Sequence, residues 1–288
     1  MSEIQFDYAQ IGGVRLHYAK AGEGERLVVL LHGFPEFWYS WRHQLAALGD
    51  EFTVVAPDLR GYNWSDKPPY ISNYKIENSV DDVLGLIRHF GRERAAIVGH
   101  DWGAAIGWAI GENHPESVSK LVCLQVPPPS VWLKNLSWRQ ALASSYMLFF
   151  QIPVLPEWLV SRDDYALLAR SMKRLTTDAS IFSDEDLARY KESWSEPGAL
   201  TAAINYYRAN LADKILPGRV GEGIKVPTLF IYGEKDPAIL PETVRNVKAA
   251  IDARYEEMRV PDAGHFVHQE AAEAVNDTLR EFLSGSET

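Results

Sequence analysis

Residues 95–103, AAIVGHDWG, contain the features that decide the fold. The stretch begins with four small or β-branched apolar residues, as expected of a strand that is buried on both faces. Gly99 and Gly103 then flank Asp101, and the small residues at 104–112 predict a helix directly behind this turn. A buried strand, a tight glycine turn and a helix in this order indicate a parallel sheet with crossover helices.

The same alternation continues on both sides of this stretch. Apolar runs predict further buried strands at 27–31, 52–56, 121–124, 227–233 and 254–260. Helical patterns lie between them or close the chain at 37–48, 74–90 and 269–283. Gly12-Gly13 joins two alternating stretches, 6–11 and 14–20, as an antiparallel hairpin. The sequence therefore predicts an α/β fold with a mostly parallel sheet and helices on both faces.

The alternation stops between residues 127 and 217. This segment begins at Pro127-Pro128-Pro129, is followed by Gly218, and has an aromatic, helical pattern with almost no strand signal. Its length of roughly 90 residues is that of a small domain. We therefore expect a core domain, residues 1–126 and 218–288, that carries an inserted helical cap, residues 127–217.

Composition argues against several classes of function. The 288 residues include 29 Lys and Arg against 39 Asp and Glu, a net charge of −10. Such an acidic chain is not expected to bind nucleic acid phosphates or an anionic membrane surface. A single cysteine, Cys123, allows no intrachain disulfide, and the absence of paired-cysteine and HExxH motifs argues against a metal site.

The N-terminal residues show neither the basic nor the apolar region of a signal peptide. No uncharged apolar stretch reaches the roughly 18 residues that a membrane span needs. The expected location is therefore the cytosol.

Polar residues follow four of the predicted strands, at the edge where ligands and catalytic groups of open α/β sheets gather. These segments are 32–35, 99–103, 233–236 and 262–266. Gly-x-Asp-x-Gly has the form of a nucleophile elbow with Asp101 as the nucleophile, although a helix cap alone gives the same pattern. Asp101, Asp236 and His265 follow one another in the order nucleophile, acid and histidine.

The identity of the nucleophile selects the reaction. A carboxylate that attacks an ester carbonyl gives a mixed anhydride, which is a poor route to hydrolysis. A carboxylate that attacks an sp³ carbon gives an ordinary ester, which water then cleaves at the carbonyl of the enzyme. Asp101 with a His265–Asp236 pair therefore indicates alkyl transfer followed by hydrolysis. An epoxide and a carbon–halogen bond are the two candidate electrophiles.

These motifs resemble those of the α/β-hydrolase superfamily, and specifically its epoxide hydrolases. The segment 32–36, HGFPE, is similar to the HGxP motif of that family, and 99–103, GHDWG, is similar to its elbow. The segment 58–65, DLRGYNWS, is similar to the loop after the next strand, with Asn63 where glycine is common. The resemblance covers nearly the whole chain and implies the α/β-hydrolase fold.

The resemblance also implies roles for residues that spacing alone does not identify. The backbone N–H groups of Phe34 and Trp102 would form an oxyanion hole. Tyr146, in the segment YMLFFQ, and Tyr207, in NYYR, would hold the epoxide oxygen, with Tyr206 as the competing residue for the second position. The implied reaction converts a small apolar or aryl epoxide and water to a vicinal diol, a detoxification step that needs no cofactor.

Two alternatives stay open. Dehalogenases share the aspartate elbow, but the haloalkane enzymes typically hold the halide with an Asn where this chain has Phe34. The fluoroacetate enzymes carry an Arg where it has Trp102. A catalytically idle receptor with the hydrolase fold is the other alternative. The sequence indicates no oligomeric state.

Overall fold

The computed structural model describes residues 3–215 and 223–286 of the chain. Its sheet has eight strands in the order β1-β2-β4-β3-β5-β6-β7-β8. These strands are β1 Gln5–Ile11, β2 Val14–Ala21, β3 Leu27–Leu31, β4 Thr53–Pro57, β5 Ala95–His100, β6 Val118–Leu124, β7 Thr228–Gly233 and β8 Tyr255–Val260. β1, β2 and β4 pair antiparallel, and every other neighbouring pair is parallel. The predicted hairpin and the mostly parallel sheet are confirmed.

Helices cover both faces of this sheet. Outside the segment between β6 and β7, the α-helices are α1 Arg42–Leu48, α2 Ile76–His89, α3 Trp102–Asn113, α10 Val267–Glu270 and α11 Ala272–Ser284. Successive residues of β3 point to opposite faces. Val29 packs in the apolar layer that contains α2 and α3, while Val28 packs in the layer that contains α1 and α11.

The last strand departs from the prediction. The run at 254–260 predicts a buried strand, and this prediction is wrong, because every residue of β8 is half-buried or exposed. β8 lies at the edge of the sheet and pairs with β7 alone. Glu257 and Arg259 on its exposed side form an ion pair at 2.6 Å. Charged side chains of this kind protect an edge strand from pairing with another chain.

The segment between β6 and β7 is mostly helical in its described part. It contains α4 Pro129–Lys134, α5 Trp138–Ala143, α6 Tyr146–Phe149, α7 Leu155–Arg174, α8 Asp184–Ser195 and α9 Ala199–Ile215. Trp194 donates its indole N–H to the carbonyl of Pro35 at 2.6 Å, which ties this segment to the loop after β3. The boundary expected at 217–218 lies outside the described residues.

Across residues 3–215 and 223–286, every helix falls short of the length and apolarity that a membrane crossing requires.

Candidate active site

A sharp turn between β5 and α3 carries Asp101. Its backbone has φ 51° and ψ −114°, a conformation that residues with a Cβ seldom adopt. A Cβ on Gly99 would collide with the backbone of Gly103, and one on Gly103 would collide with the carbonyl of Leu31. Both glycines are therefore needed for the turn. The result is an Asp101 carboxylate at the N-terminus of α3, where the helix dipole favours a negative charge.

The loop after β3 lies against this carboxylate. The backbone N–H of Phe34 donates to Asp101 Oδ1 at 2.8 Å. A Cβ on Gly33 would collide with the Asp101 side chain, so the loop comes this close only with glycine at that position. Trp102 is the first residue of α3, and N–H groups in the first turn of a helix have no intrahelical acceptor. The Phe34 N–H therefore reaches the Asp101 side chain from the loop after β3, and the Trp102 N–H belongs to the residue that follows Asp101.

His265 lies between the two aspartates. Its Nδ1 is 2.7 Å from Asp236 Oδ2, and its Nε2 is 3.9 Å from Asp101 Oδ2. The other oxygen of Asp236, Oδ1, accepts hydrogen bonds from the N–H groups of Ala238 at 2.7 Å and Ile239 at 3.0 Å. The acid is therefore held by its own loop while it orients the imidazole ring.

The pKa of His265 reflects this arrangement. Burial on its own lowers the pKa, but the charge and hydrogen bond of Asp236 and the charge of Asp101 outweigh it and raise the pKa to about 9. With Asp101 ionised, His265 is therefore protonated at neutral pH. Any reaction that neutralises Asp101 removes one cause of the rise, so the pKa of His265 then falls.

A buried polar chain lies behind His265. His100 Nε2 is 2.9 Å from the carbonyl oxygen of His265, and His100 Nδ1 is 2.7 Å from Glu36 Oε2. Among the described residues, Glu36, His100 and His268 bring ligand-type atoms within 4.8 Å of one another. Since both ring nitrogens of His100 already have partners, His100 links Glu36 to the backbone of His265.

The structure brings Tyr146 and Tyr207 together beside the loop after β3. Their ring centroids are 5.7 Å apart, and the Tyr207 ring lies 5.4 Å from Phe34 and 5.2 Å from Trp102. Burial, followed by the charge of Asp101, raises the pKa of Tyr146. Burial, followed by Tyr146 and Asp101, also raises the pKa of Tyr207 well above its usual value. Both hydroxyls therefore remain protonated donors at neutral pH.

Tyr206, the competing residue, points into the core. Its hydroxyl donates to the carbonyl of Arg60 at 3.0 Å, and Ser79 Oγ lies 3.4 Å away. The residue is 1% exposed, and its ring packs on Tyr74 at 5.6 Å. Tyr206 thus anchors α9 on the core domain.

Aromatic rings pack against one another near Asp101. Phe150 lies 5.0 Å from Tyr207 and 5.6 Å from Phe34, measured between ring centroids. Tyr146 is 38% exposed as a whole residue although its hydroxyl group is buried, so it lies at the boundary between the site and solvent. The site therefore combines two carboxylates, one imidazole and two phenol donors with surrounding aromatic rings.

The chain is similar in sequence to known proteins. The family model described as alpha/beta hydrolase fold matches residues 26–272. AB hydrolase superfamily protein YfhM of Bacillus subtilis is 38% identical over 98% of this chain and 99% of its own length. Epoxide hydrolase 1 of Caenorhabditis elegans is 37% identical over 96% of this chain and 70% of its own length.

A solved structure shows that the similarity extends to the fold. The crystal structure of Bacillus megaterium epoxide hydrolase in complex with an inhibitor is 31% identical and superimposes with a TM-score of 0.87. The match covers 97% of this chain and 100% of that chain. The likeness therefore extends over the inserted helices as well as the sheet.

Proposed function

This chain belongs to the epoxide hydrolase family of the α/β-hydrolase superfamily, and on that premise we propose the reaction and the residues that carry it. The enzyme hydrolyses an epoxide to a vicinal diol through an ester on Asp101. One observation carries this proposal: the Asp101 carboxylate lies in an elbow 2.8 Å from the Phe34 N–H and 3.9 Å from His265 Nε2. A carboxylate in this position can attack an sp³ carbon and become an ester. The carbonyl oxygen of that ester can then accept hydrogen bonds from backbone N–H groups.

In the first half-reaction, Asp101 attacks a ring carbon of the epoxide from behind. The ring C–O bond breaks, and its electron pair goes to the epoxide oxygen. Tyr146 and Tyr207 donate hydrogen bonds to that oxygen as its charge develops. Their raised pKa values support this role, because a phenol must keep its proton in order to donate it. The alkoxide takes a phenol proton, which is replaced by the proton that His265 releases when Asp101 loses its charge.

In the second half-reaction, His265 takes a proton from water, which attacks the carbonyl carbon of the Asp101 ester. Esterification has removed the Asp101 charge, so the pKa of His265 is lower than in the free enzyme and its neutral, basic form is favoured. Asp236 orients the ring, and the N–H groups of Phe34 and Trp102 stabilise the oxyanion. The bond between the Asp101 carbonyl carbon and the alkyl oxygen then breaks, and the alkyl oxygen takes the proton of the new Asp101 carboxyl group. The diol leaves, with Asp101 again a carboxylate and His265 again protonated.

We assign residues 127–217 to a cap domain over a core of 1–126 and 218–288. Both proposed acids come from the described part of the inserted segment, which supports this division. The aromatic rings that pack near Asp101 support a small apolar or aryl epoxide as the substrate. A role in detoxification in the cytosol completes the proposal, and the buried free thiol of Cys123 is compatible with a reducing compartment.

A substrate panel tests the proposed function against its alternatives. We expect diol formation from aryl epoxides and no halide release from haloalkanes or fluoroacetate, because the Phe34 side chain cannot donate a hydrogen bond to a halide. Halide release without diol formation would identify a dehalogenase. Epoxide binding without any turnover would identify a receptor.

The tyrosine pair gives a sharper test. Tyr207→Phe is expected to slow ester formation by about 10²-fold, because one of the two donors to the epoxide oxygen is lost. Tyr146→Phe is expected to act in the same direction, and the double variant to form almost no ester. The rate of ester formation is measured in a single turnover with rapid acid quench.

Tyr206→Phe is the matched control for this test. It removes a buried hydroxyl from the adjacent position, and we expect a loss of about 1 kcal/mol in stability with little change in ester formation. If Tyr206→Phe slows ester formation and Tyr207→Phe does not, the second acid has been assigned one position too late.

A further inference from the structure

The residue after β6, Gln125, has a conformation that is rare for its type. It is fully buried and has φ 68°, in the left-handed region, where a residue with a Cβ is strained. Its N–H donates to the carbonyl of Ile231 at 3.0 Å, so the pairing of β6 with β7 extends into the turn. Trp108 holds the next residue by an indole N–H bond of 2.9 Å to the Val126 carbonyl. The strained turn is therefore held firmly from two sides.

The side-chain amide of Gln125 joins two loops. Its Oε1 accepts a hydrogen bond from the N–H of Gly233 at 2.9 Å, and its Nε2 donates to the carbonyl of Gly264. Gly233 ends β7 just before the loop that carries Asp236, and Gly264 immediately precedes His265. One amide thus satisfies a backbone group on the acid loop and another on the histidine loop.

The two loops meet at this same point. A Cβ on Gly233 would collide with the carbonyl oxygens of Gly264 and Ala263, so no side chain separates the two backbones. Lys235 adds a bond from its N–H to the Ala263 carbonyl at 2.9 Å. Because these contacts lie within three residues of Asp236 and His265, a shift at Gln125 passes directly into the pairing of the two side chains.

We propose that Gln125 is a positioning residue that sets the alignment of Asp236 with His265 and thereby the hydrolysis of the Asp101 ester. This inference rests on the proposed function. Gln125 does not act on the substrate, and its side-chain bonds go to neither the elbow of Asp101 nor the helices of the two tyrosines. Its loss therefore affects the second half-reaction and spares the first.

The test variant is Gln125→Met, which keeps the length of the side chain and removes its hydrogen-bonding groups. The N–H of Gly233 and the carbonyl of Gly264 then lose their partner in a buried site. We expect ester hydrolysis to slow by about 10²-fold, as for a misplacement of roughly 1 Å, while ester formation changes little. Intact-protein mass spectrometry during turnover should show the ester accumulating on the variant.

A second variant guards against a failure of the first to fold. Gln125→Asn keeps an amide and suits the left-handed backbone, since asparagine adopts that region more readily than most residues. Its side chain is one methylene shorter and cannot reach both Gly233 and Gly264. We expect the same unequal effect on the two half-reactions, with a smaller loss of stability.

The pH dependence distinguishes positioning from mere stabilisation. Asp236 raises the pKa of His265, and it raises that pKa less when the two side chains are held less closely together. Hydrolysis requires the neutral imidazole, so the acid limb of the kcat–pH profile should move to lower pH in both variants. An NMR titration of the His265 ring should show the same direction without any substrate.

Gln44→Met is the matched control. Gln44 is equally buried and donates to the His268 carbonyl at 3.0 Å and to Asn276 Oδ1 at 2.7 Å, but its side chain bonds to neither loop. We expect a lower melting temperature with unchanged half-reactions and an unchanged acid limb.

Two results would overturn the role of Gln125: equal slowing of both half-reactions, or a His265 titration identical to that of the parent protein. The titration needs no turnover, so it decides this role even where the parent forms no ester. A parent that forms no ester with any epoxide would instead overturn the proposed function.

Discussion

Replacing His265 with Gln is expected to lower steady-state diol formation by about 10²- to 10⁴-fold and to leave the protein carrying one substrate as an ester. In the proposed reaction the base acts on water in the second half-reaction, whereas ester formation uses Asp101 and the two tyrosines. The change removes the imidazole whose Nε2 lies 3.9 Å from Asp101 Oδ2 and leaves the elbow and the two tyrosines in place. Mass spectrometry of the intact variant mixed with an aryl epoxide should show a gain equal to the mass of one substrate.

His89→Gln is the matched control for this prediction. His89 ends α2 on the exposed surface, away from the strand ends that carry the site. This control should turn over at the rate of the parent and retain no substrate mass. An unmodified His265→Gln protein, under conditions in which the parent produces diol, contradicts the two-step reaction.

The sheet was predictable because its determinants are local. The run 95–98 followed by Gly99 and Gly103 predicts a strand, a tight turn and a helix, and the close approach of these backbones leaves no room for a side chain. The position of β8 at the edge was not predictable. An apolar run indicates that a strand forms, but it does not indicate how many strands pair with it. That number depends on the topology of the whole sheet, which places β8 at the edge with Glu257 and Arg259 exposed.

The candidate site divides in the same way. Asp101, Asp236 and His265 each follow a strand, and parallel strands end at the same edge of the sheet, so their proximity follows from the pattern. Tyr146 and Tyr207 lie on helices whose docking depends on packing, and only the family resemblance indicated them. Their catalytic roles stay predictions.

No pattern in the sequence indicated the bonding partners of the supporting residues, although Glu36 and His100 lie within the motifs HGFPE and GHDWG. Glu36, His100 and Gln125 are buried polar residues, and each bonds to groups far away along the chain. Their partners are single side chains or backbone groups, and no spacing rule connects them. Such residues become visible only when the hydrogen bonds of each loop are followed in the structure.

The second large effect is expected at Asp101. Asp101→Ala should abolish both ester and diol formation, because no other carboxylate stands at the elbow. That loss alone does not separate a nucleophile from a general base that activates water to open the ring directly. The surroundings of Asp101 favour the nucleophile, since an oxyanion hole serves a carbonyl under attack and an epoxide has none. The carbonyl must then belong to an ester of Asp101 itself.

Isotope labelling separates the two roles. In a single turnover in ¹⁸O-water with enzyme in excess, water attacks the Asp101 carbonyl carbon, and the original carboxylate oxygen leaves with the alkyl group. The diol should therefore carry no label, and the peptide that contains Asp101 should gain one ¹⁸O atom. A general base would send the ¹⁸O straight to the ring carbon. Label in the diol on that first turnover, with none in the Asp101 peptide, would establish direct attack by water and exclude the ester.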